Sequence, residues 1–349
     1  MTEIKSITYI RAIAQLMIIG AHIQFVVPWY DRLDLVRAVR PFFENSTFPF
    51  FILSGLLLAL INSKTSYPDF LRKKFKSVAV PYLIAILPVI FVYLFKPDFL
   101  QVTNGLYLMT NTTAFVALTS GKNSINIAMW FFPVICMFFF ISPFFRWLYD
   151  RPKLLIAFVI FSFLLSNFTH RPPSTSEILR SFQYFVFPYS FGLLIARYFE
   201  KSFLLLKKWA WLSLFLFIII YVVQVQIGAL GGLDRLATFE QMSLLKPDLS
   251  LLQKLFLTLS LLGMLSLYKL PRQIDRFFSE VSNYAFGLHL YHGYFLTFYI
   301  LTLGKWTPGY GLGMFFAQYL IVVLSCYTLA KGLAKANQPT AKLLFSLKQ

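Results

Sequence analysis

Apolar residues in this chain neither alternate nor form amphipathic stripes. They run together in blocks of about 20 residues separated by short polar segments. A block of that length crosses a ~30 Å hydrocarbon layer as an α-helix. Lipid admits only helices and closed barrels as spanning forms, and the alternating segments of about ten residues that mark a barrel are absent. The pattern therefore predicts an all-α fold, a polytopic membrane bundle of about ten transmembrane helices. The spans fall near 7–28, 46–62, 78–95, 126–148, 154–168, 182–199, 209–227, 251–268, 282–301 and 310–334. No internal repeat, low-complexity stretch or soluble domain interrupts them, so residues 1–349 read as a single transmembrane domain. The first block is too long for the apolar core of a cleaved leader, and no small-x-small site follows it, so it is expected to be retained.

Composition strengthens this picture. Hydrophobic residues make up 58% of the chain and charged residues 13%, about half the usual share of a soluble domain, and the mean hydropathy is +0.67. The net charge of +18 invites a nucleic-acid reading, but its distribution argues against one. The segments 1–6, 63–77, 146–153, 197–208, 269–281 and 331–349 hold 20 Lys and Arg, and the intervening segments hold 11. That alternation assigns the richer set, and with it both termini, to the cytoplasm of a cell membrane. The densest cluster, "FLRKKFK" (70–76), lies on that side, where it would at least anchor orientation and touch anionic lipid.

Several chemistries lack their motifs. Cys136 and Cys326 both fall in apolar spans, and no Cys/His spacing suits a metal. There is no phosphate-cradling glycine loop, and the surroundings of Ser54 do not form a nucleophile elbow. The first span is more informative. Between Arg11 and His22 stand ten residues, nine of them Ala, Ile, Leu, Met or Gly and the tenth Gln15. In one helix, 11 residues at about 100° each bring Arg11 and His22 to within ~20° of the same face, with a rise of ~16 Å between them. Arg11 could be a snorkelling anchor and His22 a hydrogen-bonded bundle residue. Two ionisable groups on one intramembrane face, however, describe a functional line running into the bundle.

These residues carry a family resemblance. The Arg, ten residues, His pattern of the first span resembles the signature of acyltransferase family 3, the integral-membrane acyltransferases. "TFPFFILSGLLL" (47–58) is similar to that family's second-span segment, and "FLRKKFKSVAVPYL" (70–83) to its basic cluster before a Pro-Tyr. "MWFFPVICMFF" (129–139) resembles its Trp-Phe-Leu segment with Phe132 in place of the Leu. "VSNYAFGLHLYH" (281–292) resembles its late Tyr- and His-bearing segment, with His292 at the family's His and His289 where a Tyr is usual. The size resembles the stand-alone members that modify exopolysaccharide, O-antigen or intercellular adhesin.

The resemblance implies transfer of an acetyl or succinyl group from cytoplasmic acyl-CoA to a hydroxyl of a lipid-linked or surface glycan. The residues suit that chemistry. Acyl-CoA is a polyanion, and Arg11, Arg72, Lys73, Lys74 and Lys76 are expected to attract its phosphates. A sugar hydroxyl needs a base near neutral pH, and His22 is the candidate. Glu44 is expected at the outer end of the second span, where it could orient His22 or simply be solvated; Asp31 and Asp34 are less well placed. His292 is either a second acid/base group, a donor to the thioester carbonyl or interhelical glue. Trp130 either walls the acyl tunnel or belongs to the interfacial belt. Ser54, Tyr284 and His289 are expected along the cavity, and His170 in solvent.

No bound cofactor and no metal are expected; acetyl-CoA or another acyl-CoA serves as co-substrate. The expected partners are the glycan acceptor, the bilayer and a polysaccharide synthase or export proteins, with no nucleic acid. Two rival classes remain at this point: a transporter or flippase for a glycan or small anion, and a non-catalytic synthase subunit. Against a transporter stands the absence of two related halves, with the ionisable residues gathered in spans one to three and nine.

Overall fold

The computed structural model describes residues 2–24, 27, 29, 32–62, 65–95, 130–172, 178–227, 247–302 and 311–345. Among them every regular element is helical. In chain order these are α1 (Thr2–Ile23), α2 (Leu33–Phe43), α3 (Phe48–Asn62), α4 (Tyr67–Lys74), a π-helical turn (Phe75–Ala79) and α5 (Val80–Phe95). Then follow α6 (Phe131–Phe140), α7 (Ser142–Tyr149), α8 (Pro152–Thr169), α9 (Ile178–Arg197) and α10 (Phe199–Gln226). The chain continues with α11 (Leu249–Leu267), α12 (Arg272–Thr302), α13 (Leu312–Ala336) and α14 (Gln338–Phe345).

The all-helical, polytopic architecture agrees with the hydropathy pattern, and the described residues account for fewer than the ten expected spans. Among the described residues seven helices are long and apolar enough to cross a membrane, or eight if the bent pair α6–α7 counts as one span. The expected ten included α5, which has 16 residues, and α12, which has 31 but carries a polar face of Ser, Asn, Tyr and His. The fourth span is interrupted: α6 and α7 meet at Ile141 with a 56° bend, because Pro143 starts a new helix there. Residues 126–129 of that span lie outside the described residues.

The second span also needs correction. It begins not at 46 but at Leu33, and runs to Leu60 with a break at residues 44–47. Glu44 caps α2, and Asn45 adopts φ +57°, which ends one helix before the next begins. The break is pinned from three sides. Asn45 donates Nδ2–H to the Tyr184 hydroxyl at 2.7 Å, Ser46 donates to the Phe43 carbonyl, and Lys254 donates Nζ–H to the carbonyls of Phe42 and Pro41. Glu44 thus stands at a kink inside a span rather than at its outer end.

Two helix pairs organise the bundle. On one side α3 and α9 cross at two glycines. A Cβ on Gly55 would sit 1.9 Å from the Tyr189 carbonyl oxygen, and one on Gly192 would sit 2.0 Å from the Ile52 carbonyl oxygen. Small residues at such a crossing let backbones touch, which in lipid replaces the missing hydrophobic drive between helices. The crossing seats a stacked Phe51–Phe185 pair, with centroids 4.1 Å apart, in an aromatic core that extends to Phe138 and Tyr189.

On the other side α1 and α12 run parallel. Lys5 meets Asp275, Arg11 meets Ser282 and His22 meets His292, so residue numbers across the pair differ by 270 or 271 throughout. Glu280 on α12 meets Lys331 on α13 at 2.8 Å, which brings the end of α13 to the same end of the bundle as the start of α1. The helices at the periphery, above all α10, expose Leu204, Leu205, Trp211, Phe215, Ile218 and Val222. An apolar face that large is suited to lipid.

Candidate functional site

The interface between α1 and α12 is polar where a soluble bundle would place Leu. Arg11, Gln15, Ile18 and His22 on α1 follow a 4-3-4 spacing, and Ser282, Ala285, His289 and His292 on α12 follow 3-4-3. These are the two complementary seams of parallel helices packed at a shallow angle. Arg11 donates Nε–H to Ser282 Oγ at 3.1 Å and Nη2–H to the Ser282 carbonyl at 2.9 Å. The buried Gln15 amide, oriented to satisfy both its atoms, donates to the Ala285 carbonyl at 3.2 Å and accepts from the His289 N–H at 3.1 Å. Those are the two groups that bond each other in an undisturbed helical turn, so Gln15 clasps the turn that presents His289.

Three imidazoles follow. His292 lies in ring contact with both His22, centroids 5.1 Å apart, and His289, centroids 5.8 Å apart. His292 Nδ1 lies 2.9 Å from the Leu288 carbonyl. A carbonyl can only accept, so Nδ1 carries the proton and Nε2 keeps its lone pair. His22 is half-buried, and its Nδ1 is enclosed without a hydrogen-bond partner. The buried His289 also meets the edge of Phe131, centroids 5.0 Å apart. Among the described residues no group of His, Cys, Asp and Glu is arranged to hold a metal ion.

A cavity of about 350 Å³ opens beside this seam, lined from α1, α3, α4, the π-helical turn, α6, α9 and α12. Arg11, Lys74 and Ser282 line it near the end of the bundle that carries the α1 N-terminus, and His289 and Phe131 line it deeper in. From Ser282 to His289 the α12 axis rises about 10 Å. Between them the wall is largely apolar, with Leu53, Leu57, Ile135 and Phe286, and with Ser54 as a hydroxyl.

The basic segment reaches the cavity at the end of α4 and in the π-helical turn. Ser66 caps α4 by accepting the Asp69 N–H at 3.3 Å. Pro81 has no N–H to return to Ser77, and the turn before it widens into a π-helix. The last residue of α4, Lys74, and Ser77 and Val78 of the widened turn line the cavity. Lys74 Nζ lies over the rings of Phe70 and Phe139, at 5.5 and 5.2 Å.

The expected site residues divide accordingly. Arg11, Ser54, Lys74 and His289 line the cavity, and His22 and His292 stand next to it through ring contacts. Arg72, Lys73 and Lys76 are exposed and do not line it. Tyr284 does not line it either; it turns to the other face of α12, edge-on to Tyr327. Trp130 is buried and packs beside Phe185, behind the lining residue Phe131. Glu44 acts electrostatically on Lys254. His170 is not simply solvated: its Nδ1 stands 3.8 Å from the buried carboxylate of Asp248. Asp31 lies outside the described residues.

Two arginines escaped the sequence reading. Arg146 donates Nη1–H to the Thr65 carbonyl at 2.6 Å and lies over Phe70 at 5.2 Å, on the same ring that Lys74 approaches. Its Nε and Nη2 are buried without partners, and its charge acts on the lining residue Tyr189. Arg171, after α8, lies over the Trp130 ring at 5.8 Å and interacts electrostatically with His22 and Lys254.

Cationic side chains at one end of the cavity, an apolar wall and a cluster of imidazoles inside a multi-pass helical bundle suit a membrane enzyme that transfers a group. The comparisons agree: residues 4–331 match the acyltransferase domain family Acyl_transf_3, and the chain belongs to that family. It is also 26% identical over 327 residues to the Bacillus subtilis (strain 168) protein named "Putative membrane-bound acyltransferase YfiQ", covering 86% of this chain and 83% of that protein. No solved structure matches it. The protein is thus a membrane acyltransferase, which sets aside the transporter and subunit readings.

Proposed function

We propose that the protein moves an acetyl or similarly short acyl group from cytoplasmic acyl-CoA to a hydroxyl of a lipid-linked or surface glycan. The observation that carries this reading is the cavity, which connects Arg11 and Lys74 to His289 through an apolar wall. Its 350 Å³ is within the range of small-ligand sites. The phosphates of CoA would rest on Arg11 and Lys74, with Arg146 adding charge from behind Phe70. The pantetheine arm would lie along Leu57, Ile135 and Phe286, and its thioester would come to His289.

The reaction forms an ester C–O bond and breaks the thioester C–S bond. The acceptor hydroxyl gives its proton to an imidazole as its oxygen attacks the thioester carbonyl, and the departing CoA thiolate is reprotonated. His22 is the base on this reading, since it is the histidine of the cluster that is only half-buried. His292 passes or holds the proton through Nε2, because its Nδ1–H is committed to Leu288. His289, at the cavity, is placed to donate to the thioester oxygen. The orientation that serves this chemistry puts the α1 N-terminus and residues 63–77 in the cytoplasm, as the charge distribution predicts.

The deciding experiment is mass spectrometry of surface glycan from cells with and without the gene. Loss of an acyl ester on deletion, restored by the wild-type chain and not by His22→Ala, is the expected result. An unchanged ester content overturns the glycan assignment.

A further inference from the structure

At the end of the bundle away from the donor entrance, polar side chains collect in the interior. Gln24 and Gln253 are 5% and 0% exposed, and neither amide has a partner among the described residues. Asn45 Oδ1, Thr47 Oγ1 and Ser250 Oγ are likewise buried and unpartnered. They belong to the last turn of the first span, the break at 44–47 and the first turns of α11. Lys254, fully buried, joins α11 to that break through the Phe42 carbonyl. A buried polar group left unpaired is costly, so several together mark a place built to meet a polar molecule.

Arg171 commands this region. Its backbone N–H donates to Asp248 Oδ2 at 3.2 Å. Asp248 is itself fixed: it caps α11 by accepting the Leu251 N–H at 3.0 Å, and its own N–H donates to Asn167 Oδ1 at 2.8 Å. The main chain of Arg171 is therefore held, while its guanidinium lies over buried Trp130 and makes no hydrogen bond to any described residue. It acts electrostatically on Lys254 and His22, while the Asp248 carboxylate is engaged by the Arg171 main chain, the Leu251 N–H and His170. A guanidinium lying over an aromatic ring, without an acceptor among the described residues and in the field of a second cation, is suited to an anion.

We propose that Arg171 binds an anionic group of the acceptor, a phosphate or a carboxylate carried by the sugar near the hydroxyl to be acylated. The proposal rests on the acyl-transfer reading above and names the class of acceptor: an acidic or phosphate-linked sugar. Such an anion at Arg171 brings the neighbouring hydroxyls toward His22. The amides of Gln24 and Gln253 can both donate to and accept from sugar hydroxyls, which matches the second half of such a ligand.

The test uses the purified full-length protein in detergent. N-acetylglucosamine 1-phosphate, glucuronic acid and neutral N-acetylglucosamine are titrated while tryptophan fluorescence is followed. The wild type is expected to bind at least one anionic sugar about tenfold to a hundredfold more tightly than the neutral sugar, less so at high salt. Preference for the phosphate assigns a lipid-linked or phosphorylated acceptor, and preference for the carboxylate an acidic polymer. Arg171→Gln loses the discrimination and Arg171→Lys keeps part of it, with acetyl-CoA affinity held by both. A wild type that does not discriminate, or an Arg171→Gln that still does, overturns the proposal. So does an Arg171→Gln that slows acetyl-CoA turnover with anion binding intact, since Arg171 would then serve the thioester. If acetyl-CoA does not bind the wild type, the acyl-transfer reading fails, and the sugar titration still decides the anion site.

Discussion

Gln15→Met tests whether the α1–α12 seam does more than hold two helices together. Methionine keeps the length and volume of the side chain but removes the bonds to the Ala285 carbonyl and the His289 N–H, at 3.2 and 3.1 Å. Neutral hydrogen bonds contribute about 0.5–1.5 kcal/mol each, and those between membrane helices average near 0.6 kcal/mol. The loss should lie at the low end of that range, because the Ala285 carbonyl and the His289 N–H can close on each other and neither is left unsatisfied. About 1 kcal/mol of stability, a fall of about 2–4 °C in the melting midpoint, is the structural cost. Turnover should suffer more. When the clasp opens, the turn that presents His289 to the cavity relaxes, and a misplacement of about 1 Å at a reacting group costs on the order of 100-fold. The assay is thiol release from acetyl-CoA in the presence of acceptor, with the melting curve recorded on the same sample. We expect a 10- to 100-fold lower kcat with nearly unchanged melting and donor affinity. Gln15→Glu, which keeps the acceptor for the His289 N–H, should fall between the two. Wild-type turnover in a well-folded Gln15→Met protein would refute the reasoning, and so would a collapse of folding that left no separate effect on rate.

His22→Ala should leave a folded, membrane-inserted protein with turnover reduced ~10²–10⁴-fold, read by the same thiol-release assay. Arg11→Ala and Lys74→Ala should each raise the apparent Kd for acyl-CoA about tenfold at low salt, with a smaller ratio at high salt; Arg146→Ala should do the same to a lesser degree. Gly55→Ala should prevent accumulation of folded protein, since a Cβ there meets the Tyr189 backbone at 1.9 Å and not a side chain that can move; gel filtration of the detergent extract would show it. A cysteine at Lys73, in a chain lacking Cys136 and Cys326, should be shielded from an impermeant thiol reagent in intact cells while one at Asp34 reacts.

The sequence made the helical fold, the shared face of Arg11 and His22 and the late His segment legible, because each follows from helical period or from apolar run length. It failed where an interaction is local in space but distant in sequence. "FLRKKFK" reads as one cationic patch, yet α4 turns Lys74 to the cavity together with Phe70, one turn earlier, and leaves Arg72, Lys73 and Lys76 exposed. Which face of α4 is inward depends on Phe139 and Arg146, which are distant in sequence. Glu44 reads as the end of a span because the segment before it carries Arg37, Arg40 and Pro41 and does not look apolar. The placement of α2 depends on Lys254 and Tyr221, which belong to later helices and bond the carbonyls of Phe42, Pro41 and Ala38. Arg146 and Arg171 follow apolar helices and look like ordinary flanking charges. Only the packing against Phe70 and Trp130 distinguishes them.

The polar seam shows why the site and the fold are hard to separate in this molecule. In lipid, a seam of leucines would hold α1 to α12 scarcely better than lipid holds either helix. Register must come from groups that lipid cannot satisfy, and here those groups are Arg11, Gln15 and the histidines. The residues that fix which turn of α12 faces which turn of α1 thus include some that line the cavity, Arg11, Ser282 and His289. The offset of 270 to 271 residues at Arg11–Ser282 and His22–His292 then bears on the site. It sets which residues of α12 stand beside Arg11 and His22. A one-turn slip would move His289 and His292 by about 5 Å relative to Arg11 and His22, enough to take the imidazole cluster apart. Selection on the chemistry alone would therefore hold the helix pairing in place.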